Sequence, residues 1–275
     1  MRAGRWMKLL RLLEKRQKMY NLLNTIQNAD CFDVLPQIPK ESVDLVVTDP
    51  PYNIGYKEWD KFWNLNSFKR FTKFWVEECF RVLKPTGTLW SFMGYGNILS
   101  FVPILEEYGN VHLENWVVWA RQKGRGSSKH LKSQREDIFH VTKSDKFTWN
   151  NLKVLREVVC PYVKDGKPRG WFLDENGKRV RWTGLGNVWV YTAPFWKSKD
   201  DKQMHPAQKP LLLIERLILL SSNEGDVVLD PFSGSWTTAV VCKKLKRNFV
   251  CIEKDKEYYD FSVRRLEEYE KTNEN

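Results

Sequence analysis

Short apolar runs and longer amphipathic ones alternate along this chain. Residues 25–29 predict a short strand ending at Asp30-Cys31-Phe32, and residues 43–48 a second, buried strand. Residues 66–83 predict a helix. It carries Phe68, Phe71, Phe74, Trp75 and Phe80, more aromatics than a solvated face holds, so several belong to the core. A turn at 84–87 leads into a strand over 88–92, a helix over 97–108 closed by Gly109, and an alternating strand over 111–120. Residues 138–142 read as another strand. Periodicity is then lost across most of 121–204. It returns with a helix over 211–222, a strand ending at Asp230, a helix over 237–245 and a strand over 248–253. Strands separated by helices predict a largely parallel sheet. Ahead of it all, residues 1–23 predict a basic amphipathic helix with Trp6, Leu9, Leu10, Leu12 and Leu13 on or near one face.

The strand over 43–48 runs directly into Asp49-Pro50-Pro51-Tyr52. Neither proline has an N–H to donate, and each fixes its own φ and restricts the residue before it. The loop is therefore stiff, with carbonyls free to point outward and a tyrosine at its rim. It suits a flat ring bearing an amine: the acid accepts one N–H, a proline carbonyl the other, and the tyrosine stacks on the face. A bare Pro-Pro-Tyr is more often an ordinary turn, so the rest of the chain must decide.

Asp230-Pro231-Phe232-Ser233-Gly234-Ser235 follows the strand near 227–230 and precedes an apolar helix. Strand, small-residue loop and helix N-terminus form a common cofactor-holding design. No Gly-Lys-Ser/Thr follows, so it is not a Walker loop, and it is not G-x-G-x-x-G. The next strand ends in Glu253, where an acid commonly takes a ribose hydroxyl pair.

Together, DPPY at Asp49, His205-Pro206-Ala207-Gln208-Lys209-Pro210 before a helix, DPFSGS at Asp230, and Glu253 carry a resemblance. From about residue 24 to 269 the chain resembles a DNA amino-methyltransferase of the permuted beta class. That resemblance implies a Rossmann-like α/β methyltransferase fold, circularly permuted, with a mostly parallel seven-stranded sheet and an inserted DNA-recognition region. Its domains would be a basic extension (1–23), a catalytic domain (24–120 and 205–275) and a target-recognition region (121–204). It implies S-adenosylmethionine as cofactor, with Asp230, Phe232, Ser233, Gly234, Ser235 and Thr237 at its methionine part. Glu253 would take the ribose, Asp30, Cys31 and Phe32 would lie near the adenine, and His205 and Lys209 would flank the methionine end. Asp49, Pro50, Pro51 and Tyr52 become the catalytic set, with Asp49 also reaching the cofactor. DPPY, as opposed to SPPY, leans towards N6 of adenine. Cytosine N4, an RNA base and a non-catalytic DNA-binding relative are the alternatives. The family usually has a glycine where Trp236 stands, and the expectation is that this ring swings out over the following helix. No Pro-Cys follows this strand, so attack on a ring carbon is not indicated. The target amine lies inside duplex DNA, so its base must be flipped out, with Tyr52 as stacking partner.

Charge changes the picture by its placement. The net charge is +11, and residues 121–204 hold 19 Lys/Arg against 9 Asp/Glu. A basic segment on a mildly acidic body fits a polyanion partner. Arg121, Lys123, Arg125, Lys129, Lys132 and Arg135 are the candidate DNA contacts. Trp149, Trp171, Trp182, Trp189 and Trp196 lie in the same segment and are expected mostly in a small satellite core. Double-stranded DNA is the expected partner, with room for a cognate restriction endonuclease and a homodimer. The five cysteines form no CxxC pair and no zinc spacing with the four histidines, which fits a reducing cytoplasm and no metal. No apolar run is long enough to span a membrane.

Overall fold

The computed structural model describes residues 7, 13–14, 16–55, 58–109, 111–191, 209–234 and 237–273. The side chains of 59, 95, 122–127, 130 and 273 are outside the description as well. The helix expected over 1–23 is seen in its described part, where residues 16–22 are helical.

In chain order the strands are β1 (Thr25–Asn28), β2 (Val43–Thr48), β3 (Leu83–Met93), β4 (His112–Ser127), β5 (His130–Thr142), β6 (Lys153–Glu157), β7 (Val163–Lys164), β8 (Lys167–Pro168), β9 (Phe172–Leu173), β10 (Arg179–Gly184), β11 (Val188–Val190), β12 (Val227–Asp230) and β13 (Asn248–Glu253). The helices are α1 (Cys31–Val34), α2 (Leu65–Val82), α3 (Tyr95–Tyr108), α4 (Leu211–Ser221), α5 (Thr237–Lys244) and α6 (Lys256–Asn273).

One sheet organises the molecule, in the order β1-β13-β12-β2-β3-β5-β4-β11. Among the described residues it has eight strands where seven were expected. The extra one is β11, which pairs parallel to β4 from inside the segment that showed no periodicity. Only the β3–β5 and β4–β5 pairings are antiparallel. The mostly parallel, Rossmann-like character therefore holds.

Alternation along β2 explains the layers. Leu45 and Val47 face one core with α4 and α5, while Val46 faces the other with α2 and α3. A strand buried on both faces reads as a continuous apolar run, as β2 does. The aromatics of α2 divide as expected. Phe68, Trp75 and Phe80 are buried, while Phe71 and Phe74 are partly buried against the second core. The helix begins with a capping box, Ser67 N–H donating to Asn64 Oδ1 at 2.9 Å and Asn64 N–H to Ser67 Oγ at 3.2 Å.

The expected turn at 84–87 sits inside β3. Val43 lies opposite Leu83 but Leu45 lies opposite Thr88, so the turn survives as an irregularity in the pairing. Residues 121–204 do not separate cleanly from the sheet. β5 is an interior strand with Ile138, Phe139 and Val141 buried, and β11 closes the edge. Beyond them, β6, β10 and β9 form a three-stranded sheet and β7–β8 a small ribbon. Of the five tryptophans, Trp189 is buried and Trp149 stacks on His140 at 5.3 Å. Trp182 is exposed, the Trp171 indole N–H donates to the Tyr162 carbonyl at 2.8 Å, and Trp196 lies outside the described residues.

Candidate active site

Four neighbouring parallel strands, β1, β13, β12 and β2, end side by side at one edge of the sheet. Each ends in, or just before, an acid: Asp30, Glu253, Asp230 and Asp49. Residues far apart in the chain are thereby lined up where ligands bind in open α/β sheets.

Asp49 is the hub of the β2 end. Its Oδ1 accepts the Tyr52 hydroxyl at 2.6 Å, and its Oδ2 is ion-paired with Lys209 Nζ. Lys209 is buried, and its Nζ also lies 3.4 Å from Glu136 Oε2. Burial alone would lower the Lys209 pKa, but the charges of Asp49 and Glu136 hold it above the ordinary value. Burial, then the Asp49 charge, drives the Tyr52 phenol well above its usual value, so it stays a donor. The Tyr52 ring lies so close over Gly94 that a Cβ there would meet its Cδ2 at 3.0 Å. Lys209 was expected beside the methionine end of a cofactor. Its ammonium is on Asp49, and its carbonyl accepts from Thr237 Oγ1, at the start of α5, at 3.5 Å.

The loop after Tyr52 is held by a residue that the sequence did not single out. Asp60, 1% exposed, accepts the N–H groups of Tyr52 at 2.8 Å and Asn53 at 2.7 Å on Oδ1, and that of Ile54 at 3.0 Å on Oδ2. Pro50 and Pro51 have no N–H, so these are the first donors after the turn. Asn53 adopts φ +55°, a left-handed conformation its type tolerates, and its Oδ1 accepts the Phe62 N–H at 3.2 Å. The Pro51 carbonyl accepts a weak bond from Asn97 Nδ2 at 3.4 Å. Pro50 and Pro51 share a cleft wall with Trp75, Met93 and Phe101.

At the β12 end, Asp230 Oδ2 accepts Thr238 Oγ1–H at 2.5 Å and Oδ1 accepts the Phe232 N–H at 3.1 Å. Burial nevertheless pushes its pKa up to about 7. Glu253 accepts the Asp255 N–H at 2.7 Å and the Gly234 N–H at 2.8 Å, and burial pushes it up to about 7 as well. Ser233 N–H donates to the Ile252 carbonyl at 3.0 Å, tying the loop to β13. Phe232 packs edge-on against Trp75 at 6.0 Å.

Asp30 caps α1 by accepting the Phe32 N–H at 3.0 Å, and pairs with Lys254 at 2.8 Å. Burial opposes its charge, but Lys254 and the Phe32 N–H outweigh that and keep its pKa below the ordinary value. Cys31 is buried, its thiol driven upward by burial. Phe32 stacks on Phe74 at 4.1 Å. His205, Ser235 and Trp236 lie outside the described residues.

The basic segment is divided in orientation. Arg121 Nη1 donates to Glu136 Oε1 at 2.9 Å and Nη2 to the Ser133 carbonyl at 3.2 Å, so it serves the site interior instead of an open surface. Arg135 is half exposed and pairs with buried Asp137 at 2.7 Å. Lys129 and Lys132 are exposed near the end of the β4–β5 hairpin. The side chains of Lys123 and Arg125 are not described.

A Rossmann-like sheet with acids at four adjacent strand ends and a rigid Asp-Pro-Pro-Tyr loop fits a methyltransferase. The family profile described as DNA methylase, for N6 and N4 amino groups, matches residues 43–264, and the chain belongs to that family. It is 37% identical over 241 residues to the Type II methyltransferase M.HpaI of Haemophilus parainfluenzae, covering 87% of this chain and 73% of the relative. It is 36% identical over 253 residues to the Type II methyltransferase M1.MboII of Moraxella bovis, covering 86% and 94%. The crystal structure of the M1.HpyAVI–SAM complex matches with a TM-score of 0.59 at 26% identity, covering 88% of this chain and 98% of that one. The cytosine-N4-specific PvuII DNA methyltransferase matches with a TM-score of 0.67 at 18% identity, covering 90% of each chain, a likeness of fold.

Proposed function

We propose that this DNA methyltransferase transfers a methyl group from S-adenosylmethionine to the N6 amine of an adenine flipped out of double-stranded DNA. The observation that carries this is the fixed Asp49-Pro50-Pro51-Tyr52 loop beside the Asp230 and Glu253 strand ends. The residues suit the cofactor by donor chemistry. Its sulfonium and ammonium are cations and its ribose and adenine amine are donors, while the strand ends offer four carboxylates. Glu253 would take the ribose hydroxyls, Asp230 with the Phe232–Gly234 turn the methionine part, and Asp30 with Phe32 the adenine. When bound, the cofactor supplies a methyl group activated by its own positive sulfur.

The chain's residues do the remainder. An exocyclic amine is a poor nucleophile because its lone pair is delocalised into the ring. The Asp49 carboxylate and the Pro50 carbonyl accept its two hydrogens and favour a pyramidal nitrogen. As the nitrogen gains the methyl and becomes positive, the Asp49 charge stabilises it, and the Asp49 carboxylate accepts the proton that the nitrogen then loses. The rigid loop holds the amine in line with the methyl, which supplies much of the acceleration. Tyr52 moves its hydroxyl off Asp49 and stacks on the base. Digestion of methylated DNA to nucleosides tests the target: N6-methyladenine is expected, and N4-methylcytosine would move the target to cytosine.

Two further outcomes follow. Glu253 and Asp230 have folded-state pKa values raised to about 7. Their contribution to the free protein's stability is complete below their unfolded values and is lost as pH rises through about 7. A bound ribose favours the ionised Glu253, so cofactor binding should release a proton. Affinity measured by calorimetry should fall up to about tenfold per pH unit below 7, and Glu253→Gln should flatten that dependence. An affinity independent of pH in the unaltered protein would remove Glu253 from the ribose site. The log of the DNA association constant should fall with log salt by about 0.9 per phosphate neutralised. A flat salt response would mean that the basic segment serves something other than nucleic acid.

A further inference from the structure

We infer that Glu136 is a positioning residue that receives the Lys209 ammonium when the target amine displaces it from Asp49. The inference rests on Asp49 being the acceptor of that amine. Both Asp49 oxygens are occupied in the protein alone, Oδ1 by the Tyr52 hydroxyl and Oδ2 by Lys209 Nζ. Two protein donors thus stand on the carboxylate that would hold one hydrogen of the amine, the other going to the Pro50 carbonyl. An amine arriving at Asp49 competes with both donors for the carboxylate.

Tyr52 can turn outward at the rim. Lys209 cannot, because its side chain is 9% exposed and Nζ lies over the Phe92 ring at 5.1 Å. A buried ammonium stripped of its partner is costly. A second berth is already built. Glu136 Oε2 lies 3.4 Å from Nζ, is buried and accepts no hydrogen bond. Its other oxygen is fixed by Arg121 Nη1 at 2.9 Å, and Arg121 is itself tied to the Ser133 carbonyl at 3.2 Å. The carboxylate is therefore anchored on one side and open on the side facing Lys209. Closing from 3.4 Å to an ordinary charge-assisted distance of about 2.8 Å requires a small swing of the ammonium alone. In the resting protein the same pair keeps the Asp49 charge satisfied.

Glu136→Gln keeps the shape and removes the charge. We expect single-turnover methyl transfer to fall by about 10- to 100-fold, with cofactor affinity little changed and the thermal midpoint lowered but the fold kept, since Lys209 retains Asp49 and Arg121 retains the Ser133 carbonyl. In a Lys209→Gln background, where there is no ammonium to receive, Glu136→Gln should have no further effect. A ternary complex of the protein with DNA and a non-reactive cofactor analogue should show Nζ closer to Glu136 than to Asp49. An unaltered rate in Glu136→Gln, additive effects of the two substitutions, or Nζ still on Asp49 in the ternary complex would each overturn the inference. Each leaves the role of Asp49 intact, which is tested separately by Asp49→Ala.

Discussion

Replacing Asp49 by alanine is expected to slow methyl transfer by about 10³-fold or more, roughly 4 kcal/mol of lost transition-state stabilisation. Cofactor affinity should stay within a few-fold. The two effects separate because Asp49 ends β2, whereas the proposed ribose and adenine contacts end β13 and β1. The substitution also removes an ion-pair partner from buried Lys209, but Glu136 remains 3.4 Å away to compensate it. Folding should therefore survive, which circular dichroism checks. Single-turnover transfer and calorimetry on the same preparation decide the matter. A rate near that of the unaltered protein would remove Asp49 from the chemistry.

The second large effect is expected at Asp60. Its carboxylate accepts three successive N–H groups from Tyr52, Asn53 and Ile54, and it is almost fully buried. Hydrogen bonds to a charged group are worth about 1.5–3 kcal/mol each, and they do not add fully. Asp60→Ala should cost about 3 kcal/mol, a fall in Tm of about 5 °C for a chain of this size. Because the loop then no longer fixes Tyr52 and the Pro50 carbonyl, transfer should also drop by about 100-fold. Thermal unfolding and steady-state kinetics of the variant test this together. A variant with unaltered Tm and rate would show that the prolines alone hold the loop.

Much of this frame was legible from the residues. β2, β12 and β13 are apolar runs that end at an acid and a turn, and their bounds are those read from the pattern. Their juxtaposition at one edge follows from parallel pairing, which alternation of strands and helices implies. Other parts depend on contacts the linear pattern cannot hold. Glu136 lies in a polar stretch, opposite Trp119 in the β4–β5 pairing, and its contact with Lys209 joins residues far apart in the chain. The hairpin runs through Arg121 and Arg135, whose charges hide a strand that continues beyond the apolar core. β11 is only three residues long, too short to show a period. α6 reads poorly because charges interrupt its apolar positions, with Tyr258 its buried aromatic. Asp60 could have been found by asking what accepts the first N–H groups after two prolines. Without that question it looks like one more acid in a surface loop.

This chain is expected to methylate amino groups in double-stranded DNA. The most direct measurement is incubation of the protein with unmethylated duplex DNA, RNA and labelled S-adenosylmethionine, followed by recovery of each polymer. The expected result is label in the duplex DNA, carried on an exocyclic amine after digestion to nucleosides. Label confined to RNA, or no transfer by folded protein that binds the cofactor and DNA sequences of broad coverage, would contradict it.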